Sequence, residues 1–106
     1  MELNDYQLDA AKFSRYPDGP IYPTLGLVGE AGEVADKVKK VFRDKEGYFD
    51  EDVRRALAYE LGDVLWYLAR LAGTINYSLE EVALMNIQKL TDRQERGVLG
   101  GSGDTR

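Results

Sequence analysis

The chain contains no cysteine and no histidine. Those absences remove much of the familiar chemistry of small enzymes. A disulfide framework, a catalytic thiolate, a Ser-His-Asp triad, haem ligation through imidazole and the usual zinc sites each need one or other side chain. The carboxylate-bridged di-iron bundle is excluded too, because it takes a Glu-x-x-His pair from each of two helices. Any metal held here must accept oxygen ligands, which points to Mg²⁺ or Mn²⁺ ahead of Ca²⁺. No apolar run approaches the roughly 20 residues needed to span a bilayer. A basic excess is also missing: the net charge is -5, the wrong sign for a protein that grips a nucleic-acid polymer through its phosphates. The acidic, polar start Met1-Glu2-Leu3-Asn4-Asp5 does not read as a signal peptide, so the expected location is the cytoplasm.

What is present suits a single soluble globular domain: 106 residues, 43% hydrophobic and 31% charged. A chain of this size buries only somewhat more than about 60% of its unfolded surface, so assembly with further copies is a natural way to complete the core. Hydrophobic periodicity and capping signals predict an all-α fold of four helices. The first is expected from about Asn4, as N-cap, to Arg15, with Tyr6, Ala10 and Phe13 on one side. Tyr16-Pro17-Asp18-Gly19-Pro20 stops it, and the connection runs on through Pro23. Thr24 is the expected cap of a second helix reaching roughly Arg43, and Asp50 of a third ending near Gly73. Ser78 with Glu81 forms a capping box for a fourth, to about Gln94. These helices make a domain over residues 1–95. The tail, 96–106, holds four of the eleven glycines and reads as loop.

Helices two and three share one layout. Leu27, Ala31, Val34, Val38 and Val41 form an apolar arc on the second; Leu57, Leu61, Val64, Leu68 and Leu71 repeat it thirty residues later on the third. The same offset pairs Glu30 with Glu60, Glu33 with Asp63, Gly32 with Gly62, Lys37 with Tyr67 and Lys40 with Arg70. Two such helices can pack as an antiparallel hairpin with their arcs together.

Residues three apart on a helix are neighbours, so Glu30 with Glu33 and Glu60 with Asp63 are like-charged pairs beside the apolar arc. Partly buried, four such carboxylates repel one another and lose hydration unless protonated, and divalent cations relieve both problems. Acids on a helix flank are also commonly solvated or paired, and Lys37 stands four residues from Glu33 as a ready partner. Gly32 and Gly62 each cost a helix interior roughly 1 kcal/mol against alanine, which close helix approach or room for a ligand would explain.

GLVGEAGEVADKVKK followed by ELGDVLWYLARLA resembles the MazG-like, all-α nucleotide pyrophosphohydrolases, whose signature is Glu-x-x-Glu, a spacer, then Glu-x-x-Asp. The spacer here is the 26 residues from Val34 to Tyr59. The resemblance covers helices two to four and the tail. Many members carry a second acid directly before the first glutamate, where this chain has Gly29 in a GE-x-GE arrangement; a general base at that position is thereby put in doubt, the metal ligands are not. The resemblance implies a four-helix core with helices packed across subunits, in a homodimer or homotetramer. It implies Mg²⁺, with Mn²⁺ as an alternative, held by Glu30, Glu33, Glu60 and Asp63. The implied reaction cleaves a nucleoside triphosphate between its α and β phosphates, and Glu33 is the choice for orienting or deprotonating the attacking water.

On helix four Asn86 falls within the arc of Leu79, Ala83, Ile87 and Leu90, with Lys89 and Arg93 beside it. A buried amide needs hydrogen-bond partners, which a backbone carbonyl can supply. In the family an Asn-x-x-Lys on this helix faces the nucleotide, so the resemblance assigns Asn86 and Lys89, with Arg93, to the substrate. Tyr67 and Arg70 continue the acidic stripe of helix three, as Lys37 and Lys40 do that of helix two. Cations are expected near a triphosphate, with Tyr67 and Lys37 the further candidates for substrate contact, and helix-surface pairing is an equal account of the lysines. The tail, Arg96 to Arg106, looks like a motif found in part of the family: either an anion-binding nest or a frayed terminus. Trp66, Tyr6, Tyr16 and Tyr22 are candidate stacking surfaces for a base, or core. The rival reading is a nucleotide- or metal-binding helical module without turnover, a sensor.

Overall fold

Two helices of 24 residues dominate the molecule, and two shorter ones brace one end of the pair. The computed structural model describes residues 1–98 and 100–104; Leu99, Thr105 and Arg106 of the tail motif lie outside them. The elements are α1 (Leu3–Ala11), α2 (Ile21–Asp44), α3 (Glu51–Thr74) and α4 (Leu79–Glu95), with no strand among the described residues. The all-α, four-helix expectation holds.

Boundaries differ where backbone chemistry is subtle. α2 begins at Ile21, three residues before the expected cap, because Pro23 occupies its first turn, where a missing N–H removes no helical bond. Thr24 is therefore inside the helix, its hydroxyl donating to the Pro20 carbonyl at 2.7 Å. α1 stops at Ala11; the next three amides, Lys12, Phe13 and Ser14, turn to carbonyls three residues back, and this tightening ends the helix before Arg15. Asp50 caps α3 by accepting from the Val53 amide at 2.9 Å, and Ser78 caps α4 by accepting from Glu81 at 3.0 Å, both as expected.

Asn4, expected to cap its own helix, caps another. Its side-chain oxygen accepts from the Glu80 amide at 3.1 Å, and Gln7 accepts from the Leu79 amide at 3.0 Å. Together with Ser78 they satisfy three successive donors in the first turn of α4. Gln7 also donates to the carbonyls of Ala69 (3.3 Å) and Tyr77 (3.1 Å), and Trp66 donates from Nε1 to the Ala10 carbonyl at 2.9 Å. α1 is thus a clamp holding the end of α3 to the start of α4. Ala69, Ala72 and Leu79 form the core beneath it, with Tyr6, Leu68 and Val82 packed around them.

α2 and α3 run antiparallel: Gly26 meets Tyr67 near one end, Lys37 reaches Glu60, and Lys45 pairs with Asp50 at the turn. Their shared apolar arcs are only partly covered. Val41 is buried and Leu27, Val34, Leu57, Val64, Leu68 and Leu71 are half-buried, but Val38 and Leu61 are exposed. The protomer exposes 7847 Å², where a compact monomer of this mass would expose roughly 6,000 Å². Its radius of gyration is 16.5 Å, against about 13 Å for a compact chain of this length.

At Gly26 an added Cβ would overlap the Tyr67 ring. Gly26→Ala should destabilise the protein by about 1–3 kcal/mol, the usual range for overpacking. In a Tyr67→Ala background the same change should instead stabilise, by up to about 1 kcal/mol from helix propensity. Urea denaturation of the four variants checks the reversal.

Candidate metal centre

The antiparallel pairing sets the acidic stripe of α2 against that of α3. Glu30, Glu60 and Asp63 each offer a carboxylate oxygen, and the three oxygens lie within 4.8 Å of one another. Glu30 and Glu60 are half-buried and Asp63 is exposed. Glu33, one turn beyond Glu30, is exposed and stands outside this trio.

The trio is under-compensated. The Glu30 carboxyl is held above the ordinary glutamate range, chiefly by burial and then by the negative charges of Asp63, Glu60 and Glu33. Lys37, expected beside Glu33, instead crosses the hairpin to Glu60, with Nζ 3.7 Å from the carboxylate. Lys39 and Lys40 are drawn to Asp36, at 3.0 and 2.9 Å, and their hydrogen bonds lower the Asp36 carboxyl to about 2. Among the described residues one long ion pair is the positive charge given to the trio. A set of oxygen donors gathered from two helices, one of them resisting ionisation, fits a hard divalent cation. The two helix glycines fit as well. A Cβ at Gly32 or Gly62 would meet nothing within 4 Å, so close packing within the protomer does not require them. Gly62 and Asp63 instead line an open cleft of about 480 Å³ with Arg55, Ala58 and Tyr59.

Two tyrosines border the acids. Burial, the neighbouring Tyr22 and the charge of Glu30 raise the Tyr67 phenol above its usual value. Burial and then Asp63 do the same for Tyr6. Sequence reasoning gave Tyr6 a core or stacking role, and nothing in its helical spacing signalled a place near the acids. Tyr16 stacks on Tyr22 with centroids 4.4 Å apart, and Trp66 meets Tyr16 and Tyr67 edge-on.

The α4 candidates lie elsewhere in the protomer. α4 packs on α1 and α3 and makes no contact with α2. Asn86, expected within a buried arc, is exposed, because only the Leu79 end of that arc enters the core; Ile87 and Leu90 face outward. Asn86 and Lys89 line a separate, largely apolar cleft of about 410 Å³ with Ile75, Tyr77, Val82 and Met85. Arg93 is buried, 4% exposed. The described part of the tail folds back onto these cations. Asp104 pairs with Lys89 at 3.0 Å and Arg93 at 3.4 Å, which lower its pKa, and the Gly103 carbonyl accepts from Arg93 at 3.3 Å. The tail here presents a carboxylate to cations.

The sequence profile of the MazG nucleotide pyrophosphohydrolase domain matches residues 22–98. The chain is 46% identical to the Gene 37 protein of Mycobacterium phage L5, over 114 aligned positions that cover 100% of each chain. No solved structure matches it.

Because folding raises the Glu30 pKa, its ionised form costs stability. That cost is absent below the ordinary glutamate range and fully present above the raised value. At neutral pH with metal chelated, Glu30→Gln should therefore be more stable than the parent. The expected gain is about 0.5 kcal/mol or more, the cost of one like-charge helix pair being up to about that. Chemical denaturation in a chelator reads this, and saturating Mg²⁺ should reverse the order.

Proposed function

The chain belongs to the MazG nucleotide pyrophosphohydrolase domain family, and on that footing we propose that it hydrolyses a nucleoside triphosphate to a monophosphate and pyrophosphate, using Mg²⁺ or Mn²⁺. One observation carries the reading: three carboxylates from two helices converge to 4.8 Å with almost no compensating charge. Glu30, Glu60 and Asp63 would hold the cation, with Glu33 as an outer ligand. Bound there, a divalent ion supplies charge neutralisation on the phosphates and acidifies water at neutral pH. Glu33 is exposed and free of the trio, which suits it to orient the attacking water and take its proton. Tyr67 is near enough to Glu30 to feel its charge, and Lys37 spans the hairpin beside Glu60.

The working form is a homodimer or homotetramer in which α4 of a second copy brings Asn86, Lys89 and Arg93 to the triphosphate. Two facts support this. The surface in excess of a compact monomer, roughly 2,000 Å², is more than the ~800 Å² per partner of a standard interface. Within one protomer α4 also makes no contact with α2, where half the acids reside. The catalytic unit is residues 1–95, with 96–106 as an appended tail. Among the described residues no helix is long and apolar enough to cross a membrane. The proposed setting is the cytoplasm, with free nucleotides as substrates.

A panel of ribo- and deoxynucleoside triphosphates with Mg²⁺, assayed for pyrophosphate, tests the reaction. Release from at least one is expected; silence across the panel defeats the hydrolase reading, and retained nucleotide binding would then favour the sensor. Glu33→Gln and Asp63→Asn should each lower turnover by about 10²-fold or more with the helical fold intact. Asn86→Ala should raise KM while metal affinity is unchanged. Sedimentation should find no protomer-sized species at micromolar concentration.

A further inference from the structure

A third cleft, of about 330 Å³, opens between α3 and the α1–α2 loop, lined by Asp18, Gly19, Arg70, Gly73 and Thr74. Arg70 follows Asp63 by seven residues, two helical turns or about 10 Å along one stripe of α3, and Tyr67 lies between them. The cleft holds two charges that do not meet. Among the described residues Arg70 forms no ion pair, and its Nε is buried without a hydrogen-bond partner. Asp18 likewise forms no ion pair. A buried donor left unsatisfied is unfavourable, and opposite charges sharing a small cleft ordinarily close on each other. Gly19, beside Asp18, takes a φ of +107°, a backbone conformation that suits glycine, and turns the chain there.

The cleft asks for a flat ligand with donors on one edge and acceptors on the next. Thr74 adds an acceptor, since its hydroxyl hydrogen goes to the Leu71 carbonyl at 2.7 Å. The stacked rings of Tyr16 and Tyr22 flank the loop that carries Asp18, and the Tyr16 hydroxyl is a second buried polar atom without a partner.

We propose that this cleft reads the base of the substrate and favours guanine, an inference that rests on the hydrolase reading for its substrate class. Guanine alone among the common bases offers two adjacent acceptors, O6 and N7, to a guanidinium fork, and two adjacent donors, N1–H and the N2 amino group, to a carboxylate. Arg70 takes the first edge and Asp18 the second, while the phosphates extend along the stripe past Tyr67 to the acids. Cytosine offers paired acceptors, O2 and N3, to the guanidinium but no paired donors to the carboxylate, and adenine, whose edges set a donor beside an acceptor, satisfies neither group bidentately.

Two measurements on the full chain separate this from the hydrolase reading. Intrinsic fluorescence of Trp66, the only tryptophan, should report tighter binding of GMP than of AMP, CMP or UMP by about tenfold or more, since one good bidentate contact discriminates at least that far. This readout needs no turnover, so selective GMP binding without pyrophosphate release would sustain the cleft and fail the hydrolase. With turnover, dGTP should lead the deoxynucleotides in kcat/KM. Arg70→Lys, which keeps the charge and loses the fork, and Asp18→Asn should each bring that preference to within about threefold while Mn²⁺ affinity stays unchanged. Equal affinity for the four monophosphates overturns the proposal. So does a guanine preference that survives in both variants with parental helical content.

Discussion

Everything about this chain is arranged around a contact that ought not to be favourable. α2 and α3 lie antiparallel with Glu30 facing Glu60 and Asp63, and the pairing of two long amphipathic helices forces these like charges together. The lysines of α2 do little to relieve it, because Asp36 captures Lys39 and Lys40 and only Lys37 crosses to Glu60. Burial alone would drive one carboxyl toward its neutral form, the direction in which Glu30 is displaced. An oxygen-seeking divalent ion held between the helices would resolve the conflict. The same ion is the natural counter-charge of a triphosphate.

The two shorter helices brace the hairpin from its α3 side. The α1 clamp works through side-chain amides: Asn4 and Gln7 cap α4, and Gln7 with Trp66 ties α1 to α3. Gly26 admits the Tyr67 ring against α2, which fixes that phenol beside Glu30. Because the core consists of few, mostly small side chains, none of this makes a closed globule. Apolar residues of α2 and α4, among them Leu25, Val28, Leu84 and Ile87, are left exposed, and in the proposed oligomer they are the surface a second copy would cover.

Much of the frame was legible in the sequence because it depends on local rules. The thirty-residue echo of EAGEV in ELGDV set two matching helices side by side, and the Ser78–Glu81 and Asp50 caps marked their true places. Local rules fail where a residue serves a distant partner. Asn4 is a good N-cap by composition, but the helix it caps begins seventy-odd residues later. Pro23 looks like a breaker until its place in a first turn is known. Asn86 lies on an apolar arc by periodicity, yet periodicity does not say whether the arc is covered by its own protomer or by another. Within the site, carboxylate oxygens of Glu30, Glu60 and Asp63 lie together. Glu33 stands apart and the α4 cations occupy another cleft. Arg70 could be placed on the acidic stripe of α3 by spacing, as a cation near the substrate, but its unsatisfied Nε and its neighbour Asp18 become visible only once the surrounding residues are placed.

The central claim, that opposed carboxylates on α2 and α3 hold a hard divalent ion, is tested most directly by electron paramagnetic resonance of Mn²⁺ titrated into the purified protein. The free-ion signal should be depleted saturably by the parent chain, should return on addition of excess Mg²⁺, and should be left undepleted by Glu60→Gln. A free-ion signal unaffected by the parent chain, or depleted equally by Glu60→Gln, would contradict the account.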